Sequence, residues 1–125
     1  MLLDTCALVW LVSGGGELSG QARKAIEDEP MVYVSAISAF EVAWKHATGG
    51  IELPCDPEKW YREALNTHDL VEVPITGDIA VAATKLPLIH RDPCDRFIIA
   101  TARLNGWPIV TRDERFGEYG VDLIG

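Results

Sequence analysis

The sequence predicts an α/β fold in which helices cover both faces of a central parallel sheet of about five short strands. Short apolar segments alternate along the chain with longer segments whose apolar residues recur at helical spacing. The apolar segments, such as Met31-Val32-Tyr33-Val34, lack the alternation of polar and apolar residues that marks a half-exposed strand. Strands that are buried on both faces are typical of a parallel sheet between two helical layers.

In the first half of the chain, capping residues and glycines mark the element boundaries. Ser19 and Ser35 each precede a helical pattern, and a serine hydroxyl there can accept from free backbone N–H groups. Gly14-Gly15-Gly16 and Gly49-Gly50 end two of the helices. The predicted elements of this half are strands at 1–4 and 31–34 and helices at about 7–12, 20–28, 36–48 and 57–66.

In the second half, the clearest element is a helix that begins at Pro93. Proline suits the first turn of a helix because its missing N–H would have no partner there, and Asn105-Gly106 ends the pattern. The predicted elements of this half are strands at 70–73, 109–111 and 121–124 and helices at 77–84 and 93–105.

Length and composition favour one globular domain, residues 1–125. Of the 125 residues, 48% are hydrophobic, which is enough for a core. Met1-Leu2-Leu3 is interrupted by Asp4 and follows no basic segment, so we do not expect a signal peptide. No apolar stretch is long enough to span a membrane, and we expect a soluble cytoplasmic protein.

The formal net charge of −8 is unusual for a protein that binds nucleic acid, because phosphate contacts usually require a basic surface. One explanation is that the chain does not bind nucleic acid. The other is that part of the acidic charge lies in a site that takes up metal cations. The remaining acidic charge would favour a basic partner protein.

The three cysteines, Cys6, Cys55 and Cys94, are widely spaced and odd in number. This pattern argues against a disulfide framework and against a zinc knuckle, although a zinc site that also draws on His46, His68 or His90 stays open. We expect small buried thiols.

The segment from His90 to Arg96 contains two aspartates with different expected roles. Asp92 precedes Pro93 and is explained as the N-cap of the helix. Asp95 shares a helix face with apolar residues such as Ile98. A carboxylate on an apolar face is costly unless a cation pairs with it, so Asp95 predicts a cationic partner.

Four carboxylates have a possible role in such a site, and each also has a structural explanation. Asp4 and Asp113 could cap the short helix or turn that follows them. Glu41 could form a capping box with Ser38 or pair with Lys45 one turn on. Asp95 lies where it would favour the helix dipole.

Taken together, these acids predict a metal site. In a doubly wound sheet the carboxyl ends of the strands form the cleft, and Asp4 and Asp113 lie at or just beyond such ends. Converging carboxylates repel one another, and a divalent cation relieves the repulsion. Sites made of carboxylates and water suit magnesium or manganese. Such an ion polarises a phosphodiester and lowers the pKa of bound water, which predicts hydrolysis of a phosphodiester.

Four segments resemble the PIN domain, and more closely the VapC toxins of bacterial toxin–antitoxin pairs. They occur in the family's order over essentially the whole chain, and the third is the most specific. Cys94 is a departure, since relatives commonly have an aromatic residue at that position. The segments are Leu2-Leu3-Asp4-Thr5, Ser38-Ala39-Phe40-Glu41-Val42-Ala43, residues 90–102 and Val110-Thr111-Arg112-Asp113-Glu114-Arg115-Phe116.

The resemblance implies a three-layer α/β/α PIN-like domain and a ribonuclease that depends on Mg²⁺ or Mn²⁺. The catalytic acids would be Asp4, Glu41, Asp95 and Asp113, and the metal ligands Asp4, Asp95 and Asp113. The implied partners are RNA, a second copy of the chain in a homodimer, and a VapB-like antitoxin. The antitoxin's C-terminal segment would lie in a groove that Trp10, Trp44 and Trp60 could line. Core packing also explains a tryptophan at helical spacing, and we expect it for at least one of the three.

Three further residues are candidates for substrate contact, and other functions stay open. Thr5 could bind a ligand or orient Asp4, and Arg96 and Arg112 could contact phosphate, although a solvated helix face also explains Arg96. The main alternative function is a PIN-type RNA-processing nuclease that is not a toxin. A non-enzymatic binding module and a phospho-receiver are further alternatives, and the receiver lacks its expected acid pair and late lysine.

Overall fold

The computed structural model describes all residues from 1 to 125 and contains five strands. All strand pairs are parallel, as predicted, and the three strands β1, β4 and β5 are shorter than the apolar patterns suggested. The strands are β1 (Leu2–Leu3), β2 (Val32–Ser35), β3 (Leu70–Val73), β4 (Ile109–Val110) and β5 (Leu123–Ile124).

Six α-helices and one 3₁₀ helix connect the strands, and every predicted helix is present. The first helix begins two residues earlier than predicted because Asp4 caps it directly. The short turn predicted after Asp113 extends to form the 3₁₀ helix Glu114–Tyr119. The α-helices are α1 (Thr5–Ser13), α2 (Gly20–Asp28), α3 (Ala36–Ala47), α4 (Pro57–Thr67), α5 (Gly77–Lys85) and α6 (Pro93–Asn105).

The sheet has the strand order β3-β2-β1-β4-β5 and is buried between two helical layers. Leu2 and Leu3 are adjacent on β1 and completely buried, yet they belong to different core clusters. Successive residues of a strand point to opposite faces, so each leucine packs into a different layer. One cluster includes residues of α1, α2 and α4, and the other includes residues of α5, α6 and the 3₁₀ helix.

The strand order places a cleft beyond the carboxyl ends of β1 and β4. The chain adds β2 and β3 on one side of β1 and then adds β4 and β5 on the other side. The connections after β1 and β4 therefore diverge, which leaves open space at that edge of the sheet. Asp4 follows β1 and Asp113 lies three residues beyond Val110, so the topology places both acids at this cleft.

Arg96 does not face the cleft, and the prediction that it contacts phosphate is wrong. Its side chain is buried, and the residue is only 9% exposed. The guanidinium donates four hydrogen bonds of 2.7–3.0 Å to backbone carbonyls between α5 and α6. These bonds hold the guanidinium away from solvent. The alternative explanation, in which Arg96 lies on a solvated helix face, is therefore wrong as well. The four acceptors are the carbonyl oxygens of Ala83, Leu86, Pro87 and His90.

The three cysteines are free thiols, as predicted, although they are not all buried. Cys6, in the first turn of α1, is exposed, and Cys55 and Cys94 are half-buried. None of the helices is both long and apolar enough to cross a membrane.

Candidate active site

Asp4 connects the first strand to the cleft. Its backbone N–H donates to the carbonyl of Val110 (3.1 Å), and its Oδ1 accepts from the N–H of Ala7 (2.8 Å), which caps α1. Burial raises the pKa of this carboxyl. A hydrogen bond from Thr111 opposes the increase in pKa, and the negative charge of Glu41 adds to it. The capping role is confirmed, and it coexists with a location in the cleft.

Glu41 reaches the cleft from α3. The helix begins at Ala36 with Ser35 as its cap, so a capping box with Ser38 is wrong. The alternative pairing is confirmed, because Lys45 Nζ lies 3.4 Å from Glu41 Oε2. Burial alone would lower the pKa of Lys45, but the charge of Glu41, its hydrogen bond and other nearby negative charges together outweigh burial and raise the pKa. The other carboxylate oxygen, Oε1, is buried without a hydrogen-bond partner.

Asp95 enters the cleft from the first turn of α6. Asp92 caps this helix by accepting from the N–H of Cys94 (2.9 Å), which confirms its predicted role. The Asp95 side chain is 20% exposed, and its Oδ2 lies 3.1 Å from Nε2 of His90. Burial and the charge of Asp92 raise the pKa of Asp95 to about 7, although His90 acts in the opposite direction. The positive charge of His90 therefore does not offset the effects of burial and of Asp92 on the pKa of Asp95.

Asp113 differs from the other three acids because an arginine contacts both of its carboxylate oxygens. Its Oδ1 accepts from Nε of Arg115 (3.0 Å), and its Oδ2 accepts from Nη2 of Arg115 (2.8 Å). Oδ2 also lies 3.0 Å from Nε2 of His90. The hydrogen bonds from Arg115 lower the pKa of Asp113 well below its usual value. Its predicted cap is confirmed as well, since Oδ1 accepts from the N–H of Arg115.

The structure brings the four predicted acids together in one cavity of about 400 Å³. Arg112 also lines this cavity, and its Nη1 donates to the carbonyl of Glu17 (2.9 Å). Thr5 is part of the wall, where its hydroxyl lies 2.9 Å from the hydroxyl of Ser38. The lining residues are Asp4, Thr5, Cys6, Trp10, Glu17, Glu41, Lys45, Asp92, Asp95, Arg112, Asp113 and Phe116.

The donor set of this cavity fits a divalent cation. Carboxylates outnumber the cationic side chains that line it, and burial together with the negative charge of Asp92 raises the pKa of Asp95. One carboxylate oxygen of Asp95 and one of Asp113 lie within 4.8 Å of each other. The orphaned Oε1 of Glu41 is a further acceptor without a donor. Hard oxygen ligands of this kind suit magnesium or manganese.

Sequence reasoning missed several residues that organise this cavity. His90 was included only in the segment before Pro93, yet its ring contacts both Asp95 and Asp113. Arg115 and Thr111 flank Asp113, and a search for cationic or hydroxyl neighbours of each acid would have identified them. The contact between His90 and Asp113 joins residues on separate elements, so no local spacing could have revealed it.

The three tryptophans do not form a common groove. Trp60 is buried in the core, so it does not line a binding groove, and the expectation that at least one tryptophan packs in the core is confirmed. Trp10 lines the cavity of the acids. Trp44 is 60% exposed and stacks on Phe40, with ring centroids 6.2 Å apart.

The raised pKa of Asp95 predicts how the stability of the metal-free protein depends on pH. A carboxyl whose pKa rises on folding stabilises the fold fully at low pH, and this contribution is lost as pH rises through the folded value. The relevant window runs from the usual 3.8 to about 7. Asp95→Asn should therefore stabilise the protein at pH 8 in excess chelator, by about 1–3 kcal/mol.

Thermal unfolding of both proteins at pH 4, 6 and 8 tests this expectation. The gain in melting temperature for Asp95→Asn should be greatest at pH 8 and absent at pH 4. A melting temperature below that of the wild type at pH 8 would show that the ionised Asp95 stabilises the fold.

Comparisons with known proteins agree with the geometry. The family model for the PIN domain matches residues 1–122. The chain is 38% identical over 116 residues to Ribonuclease VapC22 of Mycobacterium tuberculosis, which covers 92% of this chain and 88% of that protein. This identity over most of both chains confirms the resemblance to the PIN domain and to VapC proteins.

Solved structures agree on the fold. A toxin–antitoxin complex from Klebsiella pneumoniae superposes with a TM-score of 0.69 at 26% identity, over 99% of this chain and 95% of that chain. VapBC2 from Rickettsia felis, bound to a DNA fragment from its promoter, superposes with a TM-score of 0.70 over 98% and 96% of the two chains. Its identity is 13%, so it supports the three-layer α/β/α fold alone. The chain therefore belongs to the PIN domain family.

Proposed function

We propose that the protein is a metal-dependent endoribonuclease and the toxin of a VapBC-type toxin–antitoxin pair. The observation that carries this proposal is the convergence of four carboxylates in one cavity, each from a different part of the chain. The chain's 38% identity to a ribonuclease of the VapC type supports RNA as the substrate. The acids are Asp4, Glu41, Asp95 and Asp113.

The acids have separate roles in this proposal. Asp4 and Asp95 are the metal ligands with the fewest competing cations, and Asp113 is a ligand that Arg115 also contacts. A magnesium or manganese ion supplies Lewis-acid stabilisation of the phosphate and favours ionisation of water. Glu41 orients the attacking water through its unpartnered Oε1.

Lys45 and Arg112 provide positive charge beside the acids. Lys45 pairs with Glu41, with Nζ 3.4 Å from Oε2, and this contact orients the carboxylate in the cavity. Arg112 lies in the cavity wall, and we assign its guanidinium a contact with an RNA phosphate. Thr5 is held against Ser38, so its role is to fix the start of α1 beside Asp4 and to contact the substrate from the wall.

We also propose a VapB-like antitoxin and a second copy of the chain as partners. The structural relatives include toxin–antitoxin complexes, and the net charge of −8 favours a basic antitoxin segment. The exposed Trp44 and Phe40 offer an apolar surface for a protein partner. The local excess of acid in the cavity would attract an arginine as well as a metal ion.

The test of the enzyme is RNA cleavage by the purified protein with Mg²⁺, with Mn²⁺ and with excess chelator. We expect chelation to lower the rate by at least about a hundredfold and added Mn²⁺ to restore it. Attack by water should leave a 5′-phosphate and a 3′-hydroxyl. Undiminished cleavage in chelator, or products with a 2′,3′-cyclic phosphate, would contradict hydrolysis with a metal ion.

Growth of a bacterial host separates a toxin from an RNA-processing nuclease. Expression of the wild-type chain should arrest growth, whereas expression of Asp95→Asn should not. Coexpression of a neighbouring reading frame for a small protein with a basic tail should relieve the arrest. Normal growth during expression of an active nuclease would favour the RNA-processing alternative.

A further inference from the structure

His90 contacts two of the proposed metal ligands at once. Its Nε2 lies 3.1 Å from Oδ2 of Asp95 and 3.0 Å from Oδ2 of Asp113. The two aspartates belong to separate elements, the first turn of α6 and the cap of the 3₁₀ helix. We propose that His90 is a positioning residue that sets the separation and orientation of these carboxylates for the divalent cation. This inference rests on the proposed metal-dependent function.

The ring of His90 is held in place on several sides. The residue is 4% exposed, and its ring meets Phe116 edge-on with centroids 5.4 Å apart. Its backbone N–H donates to the hydroxyl of Tyr119 (2.6 Å), and its carbonyl accepts from Arg96 (3.0 Å). Tyr119 in turn donates to the carbonyl of Pro87 (2.9 Å). A side chain fixed in this way can define the position of the groups that it contacts.

Hydrogen-bond chemistry assigns Nε2 as the donor. Asp113 is an ionised carboxylate and can only accept, so the nitrogen facing it carries the hydrogen. The other ring nitrogen, Nδ1, is buried and has no hydrogen-bond partner. A histidine that served only the core would be expected to use its ring nitrogens on nearby backbone groups. Nε2 of His90 instead faces the two acids.

The surroundings of Asp95 explain why its contact with His90 matters. Nε2 of His90 lies 3.1 Å from Oδ2 of Asp95, whereas the negative charges of Asp92 and Glu41 repel the Asp95 carboxylate. Asp113 has a second anchor in Arg115. Loss of the imidazole would therefore leave Asp95 free to turn away from Asp113. Groups that hydrogen-bond to metal ligands fix their orientation, and their removal typically weakens metal affinity by about 10–100-fold.

The experiment measures Mn²⁺ binding without RNA, by calorimetry, for the wild type and three variants. His90→Leu removes the donor at similar volume, and His90→Gln keeps an N–H at a similar reach. His68→Leu is the matched control, because His68 caps the end of α4 and does not line the cavity. We expect His90→Leu to weaken Mn²⁺ binding by about 10–100-fold, with His90→Gln and His68→Leu within about threefold of the wild type.

RNA cleavage provides a second readout that a purely structural role would not reproduce. The rate for His90→Leu should recover as Mn²⁺ is raised, while its KM for RNA at saturating Mn²⁺ stays within about threefold of the wild-type value. If His90→Leu does not fold, His90→Asn replaces it, because the shorter amide does not reach the position of Nε2.

The outcomes separate this inference from the proposed function. Wild-type Mn²⁺ affinity in a folded His90→Leu or His90→Asn variant would overturn the positioning role while leaving the nuclease intact. Equal weakening by His90→Gln and His90→Leu would also overturn it, because the donor would then be irrelevant. A wild-type protein that neither binds Mn²⁺ nor cleaves RNA would overturn both proposals.

Discussion

Asp95→Asn is expected to lower RNA cleavage by about a hundred- to a thousandfold while the protein stays folded. The substitution preserves the size of the side chain and an oxygen that can accept from His90, so the packing around the first turn of α6 is retained. An amide cannot supply the negative charge that a divalent cation requires. The loss should therefore appear as weak Mn²⁺ binding and slow cleavage, with an unchanged circular dichroism spectrum.

Asp92→Asn is the matched control for this experiment. Asp92 also lines the cavity, and its side chain caps α6. Asparagine caps helices about as well as aspartate, so stability should change little. We expect Asp92→Asn to retain cleavage within about tenfold of the wild type. A fully active Asp95→Asn, or an inactive Asp92→Asn beside it, would show that the metal site has been assigned to the wrong aspartate.

Arg96→Met is expected to destabilise the protein by about 3–5 kcal/mol. The variant fills a similar volume but leaves buried carbonyls of the segment between α5 and α6 without their donors. An unsatisfied buried acceptor costs about 1–3 kcal/mol, and partial access of water to the segment reduces the total. The midpoint of urea unfolding is the measurement, and the melting temperature should fall by roughly 10–20 °C.

Arg103→Met on the same helix is the control for charge and helix propensity. Arg103 is exposed in the last turn of α6, so its loss should cost about 0.5 kcal/mol or less. Arg96→Lys should also destabilise the protein, because one ammonium cannot replace a planar group that reaches four carbonyls. Equal unfolding midpoints for Arg96→Met and Arg103→Met would contradict the structural role of Arg96.

The fold was largely predictable because its signals are local. Alternating short apolar and amphipathic segments identify the parallel sheet, and the cap at Asp92 with Pro93 locates the start of α6 at the observed residue. The shortened strands β1, β4 and β5 were less predictable, since the ends of a strand depend on where its neighbours stop. The spacing of residues along one strand does not show where the neighbouring strand begins and ends.

The acids show how local and functional explanations can both hold. Asp4 and Asp113 cap the elements that follow them and also line the cavity, because a cap at the carboxyl end of a strand lies at the cleft. Glu41 likewise pairs with Lys45 while it faces the other acids. A carboxylate that caps a helix or pairs with a lysine can therefore also belong to the active site.

The sequence by itself determined the fold class, the helix caps and the acids at the carboxyl edge, because each depends on residues that are close along the chain. Only the tertiary structure determines which basic side chains contact which carboxylates. Arg96 and Asp95 are neighbours in sequence, yet one donates to buried carbonyls and the other enters the cleft. His90 contacts both Asp95 and Asp113 because α6 and the 3₁₀ helix contribute residues to the same core cluster, and that packing depends on the whole sheet.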